Sequence, residues 1–175
     1  MRKRLLIAGG LVVAIAAVYW GLLRDTAVEP TLVLPPATAT IGTGADAVAV
    51  GPDGQILAWL PLAEEVQLPS LPLAEPPPGG QLKGSVLAQA QVLGAAPAAL
   101  RPYIESSYYG ESGVDVELRW GGELRFGDPS QAAQKWKAAV AVLADPTITA
   151  FDYVNLHSPR RPAVRGSGHA LPPIP

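Results

Sequence analysis

The chain has 175 residues, room for one domain of ordinary size with attachments. It contains no cysteine, which excludes disulfides, thiol catalysis and a lipid-modified N-terminal cysteine. Its 13 basic and 15 acidic residues give a formal charge of −2, without the basic excess that nucleic-acid binding requires.

Residues 1–24 form the first predicted element. Arg2, Lys3 and Arg4 precede an uncharged run from Leu5 to Leu23, and Arg24 closes it. About 20 apolar residues span the hydrocarbon core as a helix. Tyr19 and Trp20 stand near the far end, where aromatic rings favour the interface. The basic start predicts a cytoplasmic N-terminus with the remainder extracytoplasmic. A cleaved signal peptide is the alternative, with Ala14-Ile15-Ala16 as its small-x-small site. That site lies inside the apolar run, not after it, which favours the uncleaved anchor. Without Arg2, Lys3 and Arg4, 10 basic residues face 15 acidic ones, a net of −5.

Residues 25–44 contain Pro35-Pro36 and then Thr, Ala and Gly, and read as a tether. Ala45 to Pro61 reads as a hairpin, with Gly51-Pro52-Asp53-Gly54 as its turn. The proline-rich stretch 61–79 reads as an extended surface connection, because prolines remove ladder donors.

Gln81 to Leu93 places Leu82, Val86, Leu87, Ala90 and Leu93 at helical spacing. Ala98 to Ile104 offers a further helical turn, interrupted at Pro102. Glu105 to Gly127 reads as strands. Val114, Val116, Leu118 and Trp120 alternate with Asp115, Glu117 and Arg119, Gly121-Gly122 makes a turn, and Leu124 and Phe126 return inward. Asp128, Pro129 and Gln131 predict a capped helix start. Ala132, Trp136, Ala139, Val140 and Leu143 form the buried stripe of that helix. Asp145-Pro146 stops it, and Ile148 to His157 reads as a strand. The expected fold is α+β, a largely antiparallel mixed sheet with two helices on one face, preceded by one transmembrane helix.

Residues 113–164 resemble the C-terminal end of the bacterial cell-division protein family FtsQ/DivIB. The resemblance lies in the alternating strand, the glycine hairpin, the "FGD" entry to an Ala/Lys/Leu helix, and "YVNLHSPRRPAV" at 153–164. "AVAVGPDGQILAWLP" resembles the hairpin that opens the family's β domain, and the basic start with a single anchor also matches. The implied division is a basic start and anchor over 1–24, a tether over 25–44, an FtsQ-like β domain over 45–165 and a disordered tail over 166–175. The chain departs from the family by lacking room for a POTRA domain between anchor and β domain. Asn155 and His157 stand where the family usually has an acid and a base.

No catalytic constellation competes. A metal site needs three or four clustered ligands, and the two histidines, His157 and His169, are expected at the surface. Ser106, Ser107 and Ser112 lack a nucleophile-elbow motif, and Ile41 to Asp46 offers only a GxG. Glu64-Glu65, Glu111 and Asp115 read as solvated carboxylates. Neither enzyme activity, nor a cofactor, nor a small-molecule substrate is expected.

The 148–156 strand carries one charge, Asp152, and little chain follows it, so it reads as a sheet edge. Such an edge is a template for strand addition by a partner. The alternative is that Arg161 to Arg165 fold back and cover it. In the resembling family this region receives FtsB. The resemblance therefore implies a non-catalytic scaffold of the division septum, single-pass in the cell inner membrane. Its partners would be FtsB/FtsL-like membrane proteins, met through Phe151, Tyr153, Asn155, Leu156, His157 and Val164. The rival class is an anchored or secreted envelope domain binding a small molecule or polymer, which would need a concave pocket with convergent polar groups.

Overall fold

The computed structural model describes residues 37–42, 44–60, 62 and 68–172. No helix among them is long and apolar enough to cross a membrane. The expected anchor, residues 1–24, and most of the tether lie outside the described residues.

The elements in order are β1 (Ala39–Ile41), β2 (Val48–Val50), β3 (Ile56–Leu57), α1 (Gly84–Gly94), β4 (Ile104–Gly110), β5 (Gly113–Leu118), β6 (Glu123–Gly127), α2 (Ala132–Leu143), β7 (Ala150–Asn155) and β8 (Ala163–Ala170). The fold is α+β, with two helices and a mixed, mostly antiparallel sheet, as expected. β1, β2 and β3 form a meander; β4 to β8 form a five-stranded sheet in chain order. Among the named strands only β6 and β7 pair in parallel, because α2 carries the chain across between them.

Two expectations about the connecting segments are corrected. The end of the tether is β1, whose Ala39 and Ile41 are fully buried and pair with β2. Three residues are too few to show an alternation that could be read in advance. The proline-rich segment is also not wholly a surface connection. Thr40 N donates to Pro69 O (3.0 Å), and Leu71 N donates to Thr40 O (2.8 Å). Ser70 N then donates to Glu105 O (3.2 Å), and Ser107 N donates to Ser70 O (3.3 Å). Pro69 to Leu71 thus lies between β1 and β4 and stitches the meander to the larger sheet. Prolines keep this segment extended, while Ser70 and Leu71 retain the N–H groups that bond.

One face of the larger sheet carries the core. Ser107, Val116, Leu124, Val154 and Val164 stand in register across five strands. Helix α1 covers this row at Ser107, whose hydroxyl donates to Gln89 Oε1 (3.0 Å). Helix α2 covers the same face at Phe126, whose ring meets Trp136 at 4.8 Å between centroids. Trp136 Nε1 also donates to Val92 O on α1 (2.7 Å), so one buried side chain ties both helices to the sheet.

The start and stripe of α2 differ from expectation. Asp128 does not cap it. Its Oδ1 accepts from Ser130 N (2.8 Å) in a turn, and the helix begins at Ala132 behind Gln131, whose φ is 56°. Val140 is exposed, and Lys135 is buried instead. Lys135 Nζ donates to Phe126 O (3.0 Å) and Asp128 O (2.8 Å), with Asp128 Oδ2 at 3.4 Å. Three acceptors replace the water that a buried ammonium loses. Ala132, Trp136, Ala139 and Leu143 do face the core, and Lys135 escapes a reading by pattern because a charged residue is normally assigned to the outer face.

Trp136→Ala should lower unfolding free energy by about 3–5 kcal/mol. Trp136→Phe, which keeps a ring but loses the bond to the Val92 carbonyl, should lose about 0.5–1.5 kcal/mol, because Ala95 N also donates to that carbonyl (3.2 Å). Denaturant unfolding of the two variants checks this, and no loss in Trp136→Phe would deny the indole bond a role.

Candidate docking edge and the polar face beside it

The expected edge strand is not an edge. β7 pairs with β6 on one side and with β8 on the other, so its main chain is engaged throughout. Of the alternatives the sequence left open, the fold-back is the one observed. It reaches further than Arg165, because residues 166–170, expected in a disordered tail, complete β8. The edge is therefore β8, whose residues are exposed except for the half-buried Val164. No strand lies on its outer side among the described residues.

The sequence-predicted partner residues separate into three groups. Phe151 and Leu156 are core residues with 0% exposure, which corrects their assignment to a contact surface. Tyr153 and Asn155 are half-buried on the uncovered face of the sheet. His157 is exposed just past β7, its ring seated over Gly127, and its N–H donates to Asn155 Oδ1 (3.0 Å). Val164 pairs with Val154 and packs against the core. Leu156 shares the core-facing parity of Val154, whereas Phe151, of opposite parity, is buried where its ring lies over Gly122.

β8 is not a uniform edge. Phe151 pairs with His169 and Tyr153 with Arg165, so Gly166, Ser167 and Gly168 all stand opposite Asp152. Asp152 Oδ1 accepts from Gly168 N (2.6 Å), and a side chain on Gly166 would collide with the same carboxylate. Gly166 also holds φ at 76°, a conformation that glycine adopts without penalty. The result is a bulge filled by one carboxylate. It divides the edge into Ala163–Arg165 and His169–Ala170, and bulges of this kind limit indiscriminate pairing. Gly121 and Gly122 serve β7 and β8 as well as their own turn. The His169 ring lies against Gly121, and the Phe151 ring would sit 2.6 Å from a side chain at Gly122.

The uncovered face carries two polar rows. Ser106, Glu117, Glu123, Tyr153 and Arg165 form one; Tyr108, Asp115, Arg125, Asn155 and Ala163 form the other. Arg125 Nε donates to Glu123 Oε1 (2.9 Å), and its guanidinium lies 3.8 Å from the Tyr153 ring centroid. Asp115 is 7% exposed, and its Oδ1 has no hydrogen-bond partner. Burial, and then the negative Glu123, push its carboxyl up, against the opposing pull of Arg125 and His157. The Tyr108 phenol is pushed up to about 12, first by burial and then by its hydrogen bond to Glu123. Tyr108 and Tyr109 are both exposed, although adjacent strand residues ordinarily face opposite ways.

Sequence reasoning missed Asp115 and Asp152 as special positions. Asp152 had a signal, a lone charge in an apolar strand followed by a Gly-x-Gly that could admit it. Asp115 had none, because its burial depends on the neighbouring strands. No family model matches the chain, and no curated protein sequence matches it. Among the described residues an open cleft of about 560 Å³ lies between Gly42, Asp46 and Ser70 to Ala74. Asp46 is its one ionisable side chain, so convergent polar groups are not found in it.

The sign of the Asp115 shift sets a pH dependence. The folded carboxyl holds its proton to higher pH than the unfolded one. Its favourable contribution is therefore fully present below the ordinary carboxylate range and is lost as pH rises through the folded value. Asp115→Asn should stabilise the protein by about 1–2 kcal/mol near pH 7 and by much less near pH 4. Urea midpoints at the two pH values check it. Asp152→Ala should leave the core folded but open the bulge, seen as faster hydrogen exchange at the Gly168 amide by roughly tenfold.

Proposed function

We propose that the chain is a non-catalytic, membrane-anchored scaffold of bacterial cell division, of the FtsQ/DivIB kind. It sits in the cell inner membrane at the septum with its N-terminus cytoplasmic, and captures FtsB/FtsL-like partners by strand addition. The observation that carries this reading is the outer edge of β8, the last strand of the sheet, exposed and without a strand beyond it among the described residues. The docking role passes from the β7 residues to β8. Val164 remains part of it, while Tyr153, Asn155 and His157 line the face beside it.

Ser106 Oγ donates to Glu117 Oε2 (3.1 Å) and Ser107 Oγ to the amide oxygen Gln89 Oε1 (3.0 Å), so both hydroxyls are engaged by neighbouring side chains. Among the described residues no group of three or more His, Cys, Asp or Glu side chains could hold a metal ion.

A fluorescent fusion of the full chain should concentrate at the septum, and an even membrane signal would sink the division reading. A photo-crosslinking residue in place of Arg165 or Ala170 should capture an FtsB-like partner, and one in place of Lys137 on α2 should not. A partner that co-purifies without crosslinking to either β8 position would place docking elsewhere.

A further inference from the structure

We propose that the end of the sheet formed by residues 98–103 and the β5–β6 turn rests on the headgroups of an anionic phospholipid membrane. This contact presupposes the membrane anchor proposed above.

Strand directions set which residues share this end. Thr40 pairs in parallel with Ser70, and Ser70 with Ser106, so β1 and β4 run the same way and begin at the same end. β5 finishes there, since Leu118 pairs with Ile104, and residues 119–122 turn the chain into β6. β7 begins and β8 finishes there too, where Ala150 pairs with Ala170. The chain therefore enters β1, at Ala39, from the end that carries residues 98–103 and this turn. Twelve residues, 25–36, separate Arg24 from the first described residue, Ala37. At full stretch they reach about 45 Å. A surface tethered that closely meets the bilayer as an intramolecular partner, at an effective concentration near the millimolar range.

The residues at this end have the chemistry of a bilayer interface. Tyr103 is 43% exposed, and its ring packs edge-on against the half-buried Trp120 at 5.9 Å between centroids. Ala98, Ala99 and Pro102 are exposed beside them. Tyrosine and tryptophan favour the headgroup level of membranes. Arg119 and Arg101 supply positive charge. Arg119 Nε donates to Pro102 O (2.8 Å) and Arg101 Nε to Ala96 O (3.2 Å), so both side chains are fixed to this segment. Neither forms an ion pair among the described residues. No acidic residue occurs between Glu75 and Glu105. Of the carboxylates at this end, Glu117 accepts from Ser106, Glu123 from Arg125 and Asp145 from Thr147. Two arginines thus stand against one uncommitted carboxylate, Glu105. A guanidinium fork matches the oxygens of a lipid phosphate.

The chain has no cysteine, so a single introduced one takes a unique label. An environment-sensitive fluorophore is attached in Ala99→Cys and, as a control at the opposite end, in Ser112→Cys of the β4–β5 hairpin. The full chain is reconstituted in nanodiscs of phosphatidylglycerol and phosphatidylcholine that carry a nitroxide quencher on the headgroups. The label at 99 should be quenched and the label at 112 should not. Pure phosphatidylcholine should lower the ratio of docked to undocked chain by roughly thirtyfold, and Arg119→Gln by about fivefold, with Arg119→Lys restoring it. In about 1 M salt, where screening shortens to about 3 Å, the label at 99 should be released while the chain still elutes with the disc. A chain that leaves the disc in that salt would overturn the anchored reading and this contact with it. A retained chain whose label at 99 is quenched no more than the one at 112 would overturn this contact alone. Equal docking on the two lipid compositions would overturn the anionic assignment, and unchanged docking by Arg119→Gln would remove the turn from the contact. A label at 99 that is shielded from aqueous iodide but not quenched by the lipid nitroxide would assign this end to a protein and overturn the lipid reading.

Discussion

The indole of Trp136 is the point on which the architecture turns. It is fully buried, its ring lies against Phe126 of β6, and its N–H is spent on the Val92 carbonyl of α1. Two helices that are far apart in the chain are thereby held over one face of one sheet. Lys135, the next residue back, anchors the same end of α2 through the Phe126 and Asp128 carbonyls. Once both helices are committed to that face, the other face of the sheet is left polar, and the strands that follow α2 can only extend the sheet sideways.

That extension decides where a partner strand could add. α2 delivers β7 parallel to β6, and β7 is then covered by β8. Edge strands are hazards as well as opportunities, since unpaired main-chain groups accept any suitable strand. Here the edge is broken by a bulge that Asp152 fills, and the carboxylate fits only because Gly166 and Gly168 carry no side chains. The arrangement restricts regular pairing to two short segments. For the scaffold role proposed above, such a restriction would supply specificity.

The uncovered face has a different economy. Arg125 satisfies Glu123 and lies over Tyr153, and the buried carboxylate of Asp115 is left with an unanswered oxygen. Folding alone gives no reason to keep a charge there, because an apolar or amide side chain would cost less. Strain of this kind concentrates where a protein meets something else.

The sequence by itself determined the class of the fold. Alternation at Val114, Val116 and Leu118, the return through Leu124 and Phe126, and the spacing around Trp136 were strong because each is a local pattern repeated several times. It also carried the apolar run of residues 5–23 and the resemblance at the C-terminus. Tertiary structure alone decided the rest. β1 and the Ser70 stitch were invisible because three-residue pairings have no periodicity. Lys135 was placed outside because its acceptors belong to the end of β6 and the turn after it. Phe151 and Leu156 looked like contact residues because a late strand looks like an edge, and only the partner strand β8 shows otherwise. Strand order is a long-range property: which main chain is left unpaired depends on every neighbour, and no single segment records it.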